Sequence, residues 1–347
     1  MNYSKLYYVD LCAVQKHIHN LDNLNGKKIF ITGATGLIGS CVVDFLINLN
    51  DSQKANNTIY IGVHNSSNAK KRFNSFLNRK DLKCIDYNAL NDLNFEIDFD
   101  YIVHAASPAS PDLYVSEPVE TMLCNILGLK NLLDYCRKHT SIRILYISSS
   151  EVYGTKDDTN PFKPKEYGYL DILGRRASYP SAKRASETLC NAYANEYGIQ
   201  VLLVRPGHVF GPTSNLYDQR ASSKFFYDVI NGNNIIMKSA GSQLRSYCYV
   251  VDCVSAIITV LINGEVCQPY NIAYKDSHIS IRQMADIIAE CGGKQVIYEN
   301  PDDREKVSFN MMNNSCLDPS DLYNLGWCNE FDCSEGLRHT FDIMSIS

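Results

Sequence analysis

KIFITGATGLIGS, residues 28–40, sets a short apolar run against three evenly spaced glycines and a second apolar run. Ile29, Phe30, Ile31 and Thr32 predict a buried strand. Gly33, Gly36 and Gly39 predict a tight turn, and Leu37 and Ile38 open a helix expected to run to Leu49. The spacing is G-x-x-G-x-x-G rather than the commoner G-x-G-x-x-G. Strand, glycine turn and helix in this order make a pyrophosphate site. The helix start offers free N–H groups and a positive dipole end, and the glycines let backbone and phosphate approach closely.

Outward from this unit, β-type runs alternate with helical ones. Strands are expected at 28–32, 58–63, 82–86, 100–104, 142–147 and 200–204, with long helices at 117–139 and 180–196. Helical crossovers between strands imply an α/β fold, a doubly wound parallel sheet with helices on both faces. Ahead of the first strand, Leu11, Val14, Ile18 and Leu21 are spaced to share one helical face, which predicts a packing helix in an N-terminal extension, 1–25. Residues 249–262 (YVVDCVSAIITVLI) read as a helix returning to the sheet. The dinucleotide-binding domain is therefore drawn as 26–205 plus 247–263. The looser stretches 206–246 and 264–347, rich in Asn, Gly, Pro and Tyr, form a smaller substrate lobe with short helices near 222–230 and 280–291. A ligand cleft is expected between this lobe and the carboxyl ends of the strands.

Composition excludes several classes. Of 347 residues, 45% are apolar and 20% charged, with a net charge of −5, which gives no basic surface for nucleic acid or an anionic membrane. No apolar run is long enough to span a bilayer, and the first 25 residues lack the basic-then-apolar pattern of a signal peptide. The thirteen cysteines include no C-x-x-C pair, and Cys41, Cys124 and Cys190 sit inside apolar runs. Such cysteines are small core residues of a reducing, cytoplasmic compartment, not a disulfide framework or a metal site.

Tyr179 and Lys183 stand four residues apart in SYPSAKRASETL, which puts phenol and ammonium on one helical face. Ser178 is the expected cap, Pro180 suits a first turn, and Arg184 with Glu187 is the expected supporting pair. A tyrosine acting as a base near neutrality must fall from a pKa of about 10 to about 7, roughly 4 kcal/mol in favour of the phenolate. A lysine ammonium and an oxidised nicotinamide supply such stabilisation. The fifth strand ends in ISSSEVYG, residues 147–154. A serine there can hold a substrate hydroxyl against the tyrosine. Glu151 is the sharper signal, because a carboxylate at a sheet's ligand end costs stability unless it is paired or used.

TGATGLIG, HAAS (104–107), SSSEVYG, Y-x-x-x-K, RPGHVFGP and RSYCYVVD together resemble the extended short-chain dehydrogenase/reductases, the NAD-dependent epimerase/dehydratase group that acts on nucleotide sugars. The resemblance runs from Gly26 to about Trp327. It implies a Rossmann-type domain with a sugar-nucleotide lobe, NAD as cofactor, a nucleotide-diphosphate sugar as substrate, and a homodimer formed through helices 117–139 and 180–196. It implies a catalytic set of Ser149, Tyr179 and Lys183, with Glu151 assisting. Cofactor contacts fall on Gly33, Thr35, Gly36, Leu37, Ile38, Gly39, His64, Asp86, Ala105, Ala106 and Ser107, besides Tyr179 and Lys183. Substrate contacts fall on Ser150, Arg176, His208, Arg220 and Arg245.

Within the group the motifs look most like UDP-glucuronate decarboxylases. Ser150 stands where the 4,6-dehydratases carry an Asp, and Glu151 where the C-4 epimerases carry a Thr. The group's Asn before its Y-G-P turn is His208 here, and the Arg after that Pro is Thr213. The acidic residue expected after the second strand is absent from Ile61–Ser66, while Lys70, Lys71 and Arg72 follow, so NADP stays open beside NAD. Dehydration, epimerisation and keto-sugar reduction remain alternatives. A cofactor-sensing regulator without turnover is a different class, and the joint presence of Tyr179 and Lys183 argues against it.

Overall fold

The computed structural model describes residues 3–346 except 77, 92, 94, 216–217 and 301–311, so that last part of the expected lobe lies outside the described residues. The six expected strands form as β1 (Lys28–Thr32), β2 (Thr58–Val63), β3 (Leu82–Asp86), β4 (Tyr101–His104), β5 (Arg143–Ile147) and β6 (Gln200–Pro206). They pair in parallel in the order β6–β5–β4–β1–β2–β3. Alternation along each strand divides the core in two. Ile29, Ile31, Leu145 and Val204 face one layer, whereas Phe30, Ile102, Tyr146 and Leu203 face the other.

The first layer holds α1 (Lys5–Gln15), α2 (Leu37–Gln53) and α8 (Val250–Asn263); the second holds α5 (Pro118–Lys138) and α6 (Ser178–Tyr197). The shorter helices α3 (Ser66–Arg72), α4 (Pro111–Ser116), α7 (Ala221–Ile230) and α9 (Ile281–Cys291) complete the numbering used below. α8 is buried on every side from Val250 to Ile262, because the sheet lies beneath it while α1 and α2 flank it. α1 ends at Gln15, so of the four residues expected on one helical face only Leu11 and Val14 belong to it. Ile18 and Leu21 reach the core from the following turns.

One strand falls where the lobe was expected. Pro269–Ile272 (β10) pairs in parallel with β6 and extends the large sheet to seven strands. Its four residues, PYNI, lack the β-branched run that marks the others, and its Pro opens the strand at the sheet's edge, where a missing N–H is harmless. A second sheet is built from β7 (His208–Phe210), β9 (Leu244–Tyr249), β11 (His278–Ser280) and β13 (Asn314–Ser315), and β8 (Ile235–Met237) pairs with β12 (Val296–Tyr298).

Arg205, at the end of β6, holds the 150–170 segment against the sheet. Its side chain is 1% exposed, and all five N–H donors are used. Nε and Nη2 fork onto Glu187 at 2.9 and 2.5 Å, Nη1 reaches Tyr153 Oη and the Pro164 carbonyl, and Nη2 also reaches Tyr167 Oη. Arg205→Ala should therefore strand a buried Glu187 carboxylate and lower the unfolding free energy by about 3–5 kcal/mol, read from the urea midpoint. Arg205→Lys should recover only a minor part, since a point charge cannot fork.

Candidate active site

Gly33 turns the chain after β1 with φ +65°, in the left-handed region. A Cβ there would lie 2.6 Å from the Ala105–Ala106 backbone, and one at Gly39 would lie 2.3 Å from the Gly33 carbonyl oxygen. Only glycine lets β1, the loop after β4 and α2 close on one another. The Gly36 N–H donates to the Gly33 carbonyl at 3.0 Å, and no side chain caps α2, so the first N–H groups of the helix proper, from Leu37 on, are free for an anion. Thr35 and Ile38 are half-buried around the turn, and Leu37 is buried. Ala105, Ala106 and Ser107 lie just beyond β4, with Ser107 Oγ donating to Asn125 Oδ1 at 2.9 Å. His64 and Asp86 are exposed, one just after β2 and the other at the end of β3. This cradle fits a dinucleotide pyrophosphate.

The basic residues downstream are not a cluster. Arg72 is 8% exposed and ion-paired to Asp44 of α2, with its guanidinium 5.1 Å from the Tyr3 ring centroid. It is turned into the core, away from any 2′-phosphate, and only Lys70 and Lys71 face solvent.

α6 carries Tyr179 and Lys183 in its first two turns. Lys183 Nζ donates to the Ile147 carbonyl at 2.8 Å and lies 5.6 Å from the Tyr179 ring centroid. Ser149 accepts from the Glu151 N–H at 3.2 Å, and its hydroxyl favours the Tyr179 phenolate. Burial pulls Lys183 down to about 7. Burial, then the Glu151 charge, pushes Tyr179 up to about 12, against the hydrogen bonds of Ser149 and Tyr114. His104, bonded through Nδ1 to Thr32 Oγ1 at 2.7 Å, is held to about 3 by burial and is a neutral imidazole.

Facing this group is a set of arginines. Arg176 Nη2 meets Glu151 Oε1 at 3.3 Å. Burial raises the Glu151 carboxyl, with Arg176 and Arg245 opposing. Arg245 is 3% exposed, and Nη1 donates to the neighbouring Leu244 carbonyl. His208 is held to about 3 by burial, then by Arg245, Arg220 and Arg176. Its Nδ1 and the Nε of Arg176 are buried without a hydrogen-bond partner among the described residues. Ser150 is buried beside Glu151 in a one-turn helix, Ser150–Tyr153.

Neighbouring residues have partners of their own. Arg220 forks onto Asp218, with Nε at 2.9 and 3.1 Å, so its charge is already matched. Thr213 Oγ1 donates to the Leu37 carbonyl at 2.7 Å and serves the cradle. Ser178 does not cap α6; it is the first helical residue, and its hydroxyl donates to the Tyr114 carbonyl at 3.1 Å. Arg184 bonds the Val152, Tyr153 and Gly168 carbonyls, which leaves Glu187 to Arg205. Tyr114, on α4, was not foreseen. Its ring stacks on that of Tyr179 with centroids 4.3 Å apart and planes at 9°, and Arg176 lies over its ring at 5.7 Å. The sequence carries no signal for it, because a tyrosine in a six-residue helix has no period to read.

The chain is similar to UDP-glucuronic acid decarboxylase 1 of Xenopus tropicalis, at 29% identity over 97% of this chain and 77% of the relative. It is 31% identical to UDP-glucuronic acid decarboxylase 3 of Arabidopsis thaliana over 76% of this chain and 74% of the relative. Among solved structures, UDP-N-acetylglucosamine 4-epimerase of Methanobrevibacter ruminantium, in complex with UDP-N-acetylmuramic acid, matches with a TM-score of 0.78. That match is 25% identical and covers 92% of this chain and 98% of the other. Residues 29–273, from β1 to just past β10, match the NAD dependent epimerase/dehydratase family. The chain belongs to that family: it is an enzyme, and its cofactor is NAD.

Proposed function

We propose that the enzyme is a nucleotide-sugar decarboxylase of the UDP-glucuronate type, working through a 4-keto intermediate. The observation that carries this reading is the charge pattern at the end of β5. Arg176 pairs with Glu151, Arg245 acts on the same carboxylate by charge, and the residue beside it is Ser150 rather than an acid. Two guanidinium groups suit a uronate carboxylate. Elimination of water needs a proton donor at the leaving hydroxyl, and a serine hydroxyl is a poor one. The names of the two decarboxylase relatives support the same reading.

Bound NAD supplies the hydride acceptor at the start and the donor at the end. The Gly33–Gly39 turn and the start of α2 hold its pyrophosphate. Lys183 holds the nicotinamide ribose and, with Ser149 and Tyr114, favours the Tyr179 phenolate. Tyr179 takes the proton of the sugar 4-hydroxyl, which Ser149 orients. Oxidation at C-4 leaves a β-keto acid. Carbon dioxide then departs, its electron pair passing into the 4-carbonyl to give an enolate. A proton added at C-5 restores the ketone, and Tyr179 returns its proton to the 4-oxygen as C-4 is reduced.

An apolar stripe on α5 (Val119, Met122, Leu123 and Leu127, 37–61% exposed) supports a homodimer through α5 and α6. All thirteen cysteines are free, which supports a reducing, cytoplasmic setting, and among the described residues no helix is long and apolar enough to cross a membrane.

Incubation with UDP-, dTDP-, CDP- and GDP-linked sugars, read by mass spectrometry, tests the reaction. Loss of carbon dioxide from a uronate is expected; loss of water from a 6-hydroxy sugar would replace decarboxylase by 4,6-dehydratase. Ser150→Asp should weaken uronate turnover at least about tenfold, because like charges in a partly wet cleft cost roughly 1–4 kcal/mol. In Tyr114→Phe the ring stack survives and one donor to the Tyr179 oxygen is lost. The phenolate is then less favoured, so the acid limb of the kcat–pH profile should move upward by about 1–2 pH units. Replacing both Leu123 and Leu127 by Glu should give a monomer in analytical ultracentrifugation, and a dimer that persists would place the interface elsewhere.

A further inference from the structure

A second constellation lies apart from the cleft, where the end of α1 meets the segment before the last helix. Cys328 is exposed, and its Sγ lies 3.1 Å from Nδ1 of His17. The other ring nitrogen, Nε2, lies 2.5 Å from Glu330 Oε2. Both contacts are satisfied by one arrangement of protons: the thiol donates to Nδ1, and Nε2–H donates to the carboxylate. Glu330 is itself fixed. Lys16 Nζ reaches Oε1 at 2.8 Å, and the N–H groups of Glu330 and Phe331 donate to buried Asp252 of α8 at 2.8 and 3.2 Å. Nucleophile, base and orienting carboxylate thus stand in hydrogen-bonded sequence. Among the described residues no group of His, Cys, Asp and Glu is arranged to hold a metal, so a metal-ligand role does not account for the three.

We propose that Cys328, His17 and Glu330 form a thiol–imidazole–carboxylate relay that makes Cys328 the preferred site of covalent modification by a disulfide. The electrostatics require the base. Burial, then Asp252 and Glu330, raises the Cys328 thiol, with Lys16 opposing, so the group rests protonated at neutral pH. Burial works against the Glu330 carboxylate, but its bonds to Lys16 and His17 outweigh that and hold it below its usual range. It therefore stays ionised and steadies an imidazolium. In the step, His17 takes the thiol proton as Sγ attacks one sulfur of the disulfide. The S–S bond breaks, a new bond forms between Sγ and the attacked sulfur, and the departing thiolate receives the proton from His17. Cys328 is oxidised, the departing sulfur is reduced, and no further reagent is consumed.

Cys12 and Cys84 are also exposed and provide internal references in the same chain. The probe is oxidised glutathione with the full-length protein at neutral pH, the mixed disulfides located by peptide mass spectrometry. Cys328 should react at least about tenfold faster than Cys12 or Cys84, and His17→Ala should remove that advantage while leaving the reference rates unchanged. Glu330→Gln, which keeps shape and loses charge, should give an intermediate rate. Unlabelled Cys253 and Cys333, both buried, report that the fold is intact in each variant. Equal rates at the three exposed cysteines of the unsubstituted protein, or an unchanged Cys328 rate in His17→Ala with those buried cysteines unlabelled, would overturn the proposal.

Discussion

Desolvation at the carboxyl end of the sheet governs the chemistry of the cleft. Lys183 and Tyr179 are moved in opposite directions by the same cause, each toward its neutral form, to about 7 and about 12. His104 and His208 are neutral for the same reason. Water is therefore kept from the pair, and ionising it depends on the fixed groups that surround it, the Glu151 charge against the phenolate and oriented dipoles for it. Those dipoles are few and fixed: the Ile147 carbonyl on Lys183, and the Ser149 and Tyr114 hydroxyls on Tyr179. A cationic ring brought beside them acts in a medium of low polarity, where its charge has its largest effect.

The buried arginines differ in what they are tied to. Arg205 uses all five donors within the fold and has nothing left to offer a ligand. Arg143 closes the end of α8 by donating through Nη1 and Nη2 to the Ile262 and Gly264 carbonyls. Arg220 is neutralised by Asp218. Arg176 pairs with Glu151 through Nη2 while its buried Nε lacks a partner among the described residues, and Arg245, bonded to a neighbouring backbone carbonyl, acts on the same carboxylate by charge alone. A substrate with several negative charges complements that imbalance.

Much of this was legible in the chain. Apolar runs and glycine spacing located six strands and the cradle, because buried parallel strands and a tight turn each leave a mark confined to adjacent residues. Tyr179, Lys183 and Ser149 meet for the same reason: a helical repeat and a strand end fix their positions. What could not be read depends on partners remote in sequence. Arg72 looks like part of a solvated basic run until Asp44, on another helix, buries it. Ser178 has the composition of a cap, yet its hydroxyl is drawn to a carbonyl 64 residues away. β10 is too short and too polar to announce itself, and it becomes a strand only because β6 offers an open edge. Tyr114 is found only when α4 is laid against α6.

The N-terminal extension acts on the cradle from behind. α1 places Tyr7 Oη on Asp44 Oδ2 at 2.9 Å, and Asp44 lies on α2, whose first turn forms the anion site. Arg72 meets the same carboxylate, so α1, α2 and α3 share one buried charge. Asp10 of α1 accepts from Tyr249 Oη at 2.8 Å, immediately before α8, and His339 of the last helix faces the same carboxylate. Removing Asp44 would leave buried donors unpaired on α1 and α3, a cost that falls on the packing of α2 rather than on any group in the cleft. The helix that must present its N–H groups at a fixed distance from β1 is thus held at its rear by contacts that carry no chemistry. No side chain caps its first N–H groups at the front, as a site for a pyrophosphate requires.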